Sequence, residues 1–136
     1  MAECCSGGIR MVYACSGAAD VGQLSDMVAR KLRDENFAKM SCLAAIGADL
    51  SGYVQTAKAA DVCFVIDGCA TACARKNLER IGVTPKSYVL TDMGCEKGST
   101  PPSGDVVDRI IRVIRSDEGD AAPGRSSGSG GCSCGC

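Results

Sequence analysis

The sequence predicts a small three-layer α/β domain, an open parallel sheet of about four strands with helices on both faces, followed by a flexible, cysteine-containing C-terminal tail. Three observations predict it. Strand-like and helix-like segments alternate four times, at a spacing that suits parallel strands joined by crossover helices. The run Val62–Ile66 is apolar on both faces, as a central strand covered by helices on each side must be. The length of 136 residues fits one core, and 46% hydrophobic against 23% charged residues is a globular balance.

Taken in order, Ile9–Ala14 is short, β-branched and aromatic and stops at Cys15-Ser16-Gly17, a strand ending in a tight turn. Asp20 is placed to cap a helix whose apolar stripe is Val21, Leu24, Val28 and Leu32, before the charged run Arg33-Asp34-Glu35. Lys39–Leu43 reads as a second strand, closed by Ala44-Ala45-Ile46-Gly47, and Leu50, Tyr53, Val54 and Ala57 mark a second helix that Gly52 weakens. After Val62–Ile66 comes the turn Asp67-Gly68-Cys69, then a helix over Thr71–Arg80 with Gly82 as its stop. Ser87–Leu90 is the fourth strand. Pro101, Pro102 and Ser103 introduce a last helix, with Val107, Ile110, Ile111 and Ile114 inside and Arg109, Arg112 and Arg115 outside. The layout is Rossmann-like or flavodoxin-like. Residues 9–116 form the domain, 1–8 an arm, and 117–136 a Gly/Ser-rich tail ending in Cys132-Ser133-Cys134-Gly135-Cys136.

Lys+Arg 15 against Asp+Glu 16 leaves a net charge of −1, which offers no basic field to a nucleic acid or an anionic bilayer. No apolar run approaches the roughly 18 residues of a membrane span, and Met1–Gly8 has no basic stretch leading into an apolar one. The expected compartment is the reducing cytoplasm, where abundant cysteine means metal binding or redox chemistry more often than disulfides. With no His among the residues and 11 Cys, any metal site is built from thiolates and carboxylates.

In an open parallel sheet the carboxyl ends of the strands share one rim, where ligands bind. Cys15 follows the first strand, Cys42 ends the second, Cys69 follows the third, and Cys73 stands one helical turn beyond Cys69, expected on the same side of the helix start. In the strand order 2-1-3-4 the first three of these strands are neighbours about 4.8 Å apart, and their span suits one ion held at about 2.3 Å by four sulfurs. Helix N-termini on that rim favour negative sulfur and lower thiol pKa values. Cys63, mid-strand among Val and Phe, is a packing residue. Cys95, in the loop after the fourth strand, is left out of the ligand set. Asp67 beside Cys69 reads either as an acceptor supporting a metal-bound sulfur or as a turn residue before Gly68.

The segments Tyr13-Ala14-Cys15-Ser16-Gly17-Ala18-Ala19-Asp20-Val21-Gly22, Cys42-Leu43-Ala44-Ala45-Ile46-Gly47, Ile66-Asp67-Gly68-Cys69, Cys73-Ala74-Arg75-Lys76, Leu90-Thr91-Asp92 and Glu96-Lys97-Gly98 together resemble the DGC-domain family, named for its Asp-Gly-Cys motif. The resemblance covers roughly residues 9 to 115. It implies zinc binding by four cysteines, which correspond here to Cys15, Cys42, Cys69 and Cys73. The tail cysteines lie outside it.

Cys4 and Cys5 precede the first strand, and the tail leaves from the same amino edge of the sheet, so Cys4, Cys5, Cys132, Cys134 and Cys136 are expected to form a second, exposed thiol site that captures soft metal ions or sulfur. The first functional reading is a metal-binding protein, with zinc as the ion and an iron–sulfur cluster or Cu(I) as the alternatives that thiolates equally serve. The second is a thiol or persulfide carrier using Cys15. A cysteine-phosphatase loop is excluded, because Val21 stands where that loop needs Arg, and Cys69 and Cys73 are spaced too far for a Cys-x-x-Cys exchange pair. The third is an interaction module folded around its metal. Without His, proton transfer would fall to Asp67, Asp92 or Lys97, so the sequence leans away from catalysis; the physiological protein partner is unspecified.

Overall fold

A computed structural model describes residues 8–119. The element order is β1 (Arg10–Ala14), α1 (Asp20–Asp34), β2 (Lys39–Met40), α2 (Leu43–Gly47), α3 (Ser51–Ala59), β3 (Val62–Asp67), α4 (Cys73–Arg80), β4 (Lys86–Val89), a 3-10 turn (Leu90–Met93) and α5 (Gly104–Asp117). The four strands are all parallel, in the order β2-β1-β3-β4. The three-layer α/β expectation is met.

Alternation along β1 and β3 divides the core in two. Val12, Ala14, Phe64 and Ile66 face the apolar stripes of α1 and α5, whereas Met11, Tyr13, Cys63 and Val65 face α2, α3 and α4. Both faces of the central strands are thereby removed from water, worth roughly 1.5–3 kcal/mol for each fully buried large aliphatic side chain. Across the first layer Lys31 of α1 pairs with Asp108 of α5.

Three helices stop in the same way. After α1, Asn36 adopts φ 57, its N–H donates to Arg33 O at 3.0 Å, and Phe37 N–H reaches back to Leu32 O at 2.9 Å. After α2, Asp49 (φ 56) and Leu50 repeat the pattern on Ile46 and Ala45, and after α4, Gly82 (φ 86) and Val83 do so on Glu79 and Leu78. This is the Schellman stop, in which one left-handed residue turns the chain and the next donates its N–H five residues back; Phe37 then enters the core, whereas Leu50 stays exposed. Only the third was announced by a glycine.

Four local expectations are corrected. The second strand ends at Met40 rather than Leu43, because Cys42 becomes the residue before α2, in which Leu43 joins residues 44–47, expected to close the strand, as helix. The helix expected from Thr71 starts at Cys73, since Ala72 is left-handed at φ 53. Asp20 is the first residue of α1 rather than its cap, its carboxylate accepting the N–H groups of Val21, Gly98 and Thr100. Arg115, expected outside, is 6% exposed: its guanidinium pairs with Glu35 at 2.9 Å and lies over the Phe37 ring. None of the described helices is long and apolar enough to cross a membrane.

Candidate thiol site at the carboxyl rim

Because all four strands are parallel, the chain leaves β1, β2 and β3 at one rim, and Cys15, Cys42 and Cys69 lie just beyond these three strand ends. The best-built of the three positions is Cys15. Its backbone N–H extends the ladder to Ile66 O at 3.1 Å, which fixes the Cα at the edge of the sheet. Its sulfur receives the Gly68 N–H at 3.3 Å and lies 3.2 Å from the Ser25 hydroxyl. Ser25 is fully buried on the core face of α1, donates to Gly22 O at 2.7 Å, and accepts the Ser16 N–H at 3.3 Å. These contacts fix the position of the sulfur at the rim.

Close backbone packing makes this possible. A Cβ on Gly68 would sit 2.7 Å from the carbonyl carbon of Val21, and one on Gly22 would sit 2.4 Å from Gly17 O. The turn after β1, the first turn of α1 and the turn after β3 therefore touch through their main chains, and only glycine fits at the two contact points.

Asp67, at the end of β3, is fully buried and accepts the N–H groups of Ala74 at 2.8 Å and Arg75 at 3.1 Å. Ala72, which precedes α4, has no side chain able to cap it, so Asp67 does this from seven residues upstream. The Asp of the Asp-Gly-Cys turn thus holds the start of the helix that carries Cys73. Of the two readings offered for Asp67 by the sequence, neither included this bond.

Cys69 is half-buried in the turn that Ala72 N–H closes onto Cys69 O at 3.0 Å. The Thr71 hydroxyl, 3.5 Å from its sulfur, the Thr71 backbone N–H and the Lys97 ammonium at 3.9 Å together hold the thiol below its ordinary pKa, against partial desolvation and the opposing charge of Asp67. Lys97 reaches this point because its loop is pinned to α1: Gly98 and Thr100 donate their N–H groups to the Asp20 carboxylate at 2.8 and 3.1 Å. The Gly98 bond first, then those from the Val21 and Thr100 N–H groups, lower the Asp20 pKa against partial desolvation. A depressed carboxyl stabilises the native state above its unfolded pKa of about 3.9, and this contribution is lost as pH falls through the folded value. Hydrogen-exchange protection of the Gly98 and Thr100 amides is therefore expected to fall on acidification below about pH 4, and to be low at every pH in Asp20→Ala; unchanged protection would contradict the pinning.

Cys42 and Cys73 are exposed, the first immediately before α2 and the second opening α4. Cys15 and Cys42 share a cleft of about 680 Å³. Because α4 begins only at Cys73, Cys69 lies in the turn before it, and the expected common helical side is absent. Among the described residues no three Cys, Asp or Glu side chains lie close enough to hold one metal ion. Cys63 is buried, 3.4 Å from Ala57 O, with its thiol pKa pushed up by burial. Cys95 is buried in the α1–α5 layer, 3.9 Å from the Arg109 guanidinium. Cys4, Cys5, Cys132, Cys134 and Cys136 lie outside the described residues.

Sequence reasoning missed Ser25 and did not link Lys97 to Cys69. A serine inside the apolar stripe of α1, beside Leu24 and Val28, was the available signal for the first. For Lys97 no local signal existed, because Cys69 is 28 residues away in the chain.

Among known proteins, a family described as DGC domain matches residues 11–114. The Anaerobic and virulence modulator AnvM of Pseudomonas aeruginosa is 35% identical over 88 residues, which cover 64% of this chain and 67% of that protein. No solved structure matches the chain.

Proposed function

Because the chain belongs to the DGC-domain family, we propose that it is a metal-binding protein whose rim thiolates, Cys15, Cys42, Cys69 and Cys73, take a soft ion, with zinc as that ion. The observation that carries the reading is the placement of thiols at three neighbouring strand ends, one of them, Cys69, with contacts that favour the thiolate. In chemistry the donor set fits: sulfur is abundant and histidine absent. In position it is incomplete, since no three candidate ligands converge among the described residues. Loading therefore has to recruit the exposed Cys42 and Cys73 to the better-fixed Cys15 and Cys69. A bound zinc would supply charge neutralisation to the gathered sulfurs, and with four sulfur ligands would leave no position for a reactive water. On this reading the protein holds or passes on metal in the cytoplasm, and does not hydrolyse a substrate.

Protein purified without added metal is expected to retain one ion per chain by elemental analysis, and Cys15→Ser and Cys69→Ser are expected to reduce retention about tenfold or more. Four thiols should become reactive only after a strong chelator. Full thiol reactivity before chelation, with no metal bound, would overturn the reading. The same measurement serves a second reading, persulfide or thiol carriage by Cys15, favoured by the Gly68 N–H on its sulfur: one hyper-reactive thiol in metal-free protein is its signature.

A further inference from the structure

The cleft shared by Cys15 and Cys42 contains more than sulfur. Its lining includes Arg30 and Arg33, one turn apart on α1, with Tyr53 of α3 and Asn77 of α4 opposite. Asp26 is the one carboxylate among the described lining residues, and Asp34, beside the cleft, pairs with Arg33 at 2.8 Å. Asp26 engages Arg30 through a single nitrogen, Nε at 2.6 Å, and the partner of Arg33, Asp34, is not part of the lining. Both guanidinium groups stand at the surface, about half exposed. A volume of about 680 Å³ is that of a small-molecule site.

Carboxylate-binding guanidinium groups, amide-compatible Tyr and Asn side chains and thiols in one cleft define a ligand class by their chemistry. We propose that this cleft binds small, carboxylate-bearing thiols and their disulfides, and that Cys42 is the sulfur that exchanges with them. The proposal goes beyond the metal reading and shares only Cys15 and Cys42 with it. In the exchange, the Cys42 thiolate attacks one sulfur of the incoming disulfide. A Cys42–S bond forms, the S–S bond of the reagent breaks, and its other half leaves as a thiolate, so the Cys42 sulfur rises from the thiolate to the disulfide level while the departing sulfur falls from the disulfide to the thiolate level. Arg30 and Arg33 are positioning residues in this step: they hold the carboxylates and do not touch the reacting sulfurs.

The test uses the full, metal-free chain, with oxidised glutathione as the anionic probe and bis(2-hydroxyethyl) disulfide as the neutral one, each adduct mapped by peptide mass spectrometry. Cys73, exposed and outside the cleft, is the internal reference. The anionic probe is expected to favour Cys42 over Cys73 by about tenfold more than the neutral probe does, a preference erased by 1 M salt and by R30Q with R33Q. Reaction with the neutral probe should be unchanged in the double variant, which reports that its fold is intact. A preference that survives loss of both arginines, or the same Cys42-to-Cys73 labelling ratio with both probes, would overturn the proposal. Neither result bears on metal content, which is measured separately.

Discussion

Asp67→Ala is expected to lower the unfolding free energy by about 2–4 kcal/mol, read as a urea midpoint lower by roughly 2 M. The carboxylate is fully buried and accepts two backbone donors at the start of α4. Removing it strands both N–H groups away from water and removes a negative charge from the positive end of the helix. Asp67→Asn keeps one acceptor oxygen and should lose about half as much. Since Cys73 opens the helix that Asp67 caps, the alanine variant should also fray that turn, with faster exchange of the Ala74 and Arg75 amides. A loss below about 1 kcal/mol would mean that the two bonds contribute little net stability.

Gly68→Ala is expected to be comparably severe, about 2–3 kcal/mol, with a thermal midpoint lower by roughly 10 °C or more. The added Cβ would fall 2.7 Å from the carbonyl carbon of Val21, 2.8 Å from its oxygen and 2.9 Å from Gly22 N. All three are main-chain atoms, which cannot rotate aside as a side chain can. Relief requires the turn after β3 to move off α1, and that withdraws the Gly68 N–H from the Cys15 sulfur. The variant should therefore also change the alkylation rate of Cys15, measured by mass mapping, while Cys73 outside the contact is unaffected. A stable variant with an unaltered Cys15 would show that the rim tolerates separation of the two turns.

The central sheet was legible because its signals are local. Val62–Ile66 is apolar throughout, and the stripes of α1 and α5 repeat at helical spacing over several turns. The alternation gave parallel strands without fixing their order, and the order assumed for the thiol site, 2-1-3-4, is the one found. What escaped was set by contacts between distant residues or by backbone geometry that a side chain does not announce. Residues 43–47 are too few to show a helical period, and Ala72 gives no sign of its left-handed turn. Arg115 looks like a solvent-facing residue until Glu35, 80 positions earlier, is brought beside it.

The candidate site divides in the same way. That the cysteines follow successive strand ends could be read from the chain alone. The hydrogen bonds that tune them could not, since Gly68 meets Cys15 across 53 residues and Lys97 meets Cys69 across 28. The guanidinium groups of the cleft were hidden for another reason. Arg30 and Arg33 sit on the polar side of an amphipathic helix, where a charged residue ordinarily signifies no more than solvation.

The brevity of the outer strands has its own consequence. β2 spans two residues and β4 four, and each opens on an exposed lysine, Lys39 and Lys86. An open sheet presents unsatisfied amide groups at both margins, and long, flat, apolar margins template the addition of foreign strands. Here either margin offers too few pairing positions, guarded by a cation, for a second chain to extend the sheet, so clumping through edge-to-edge β-addition is disfavoured even at high protein concentration.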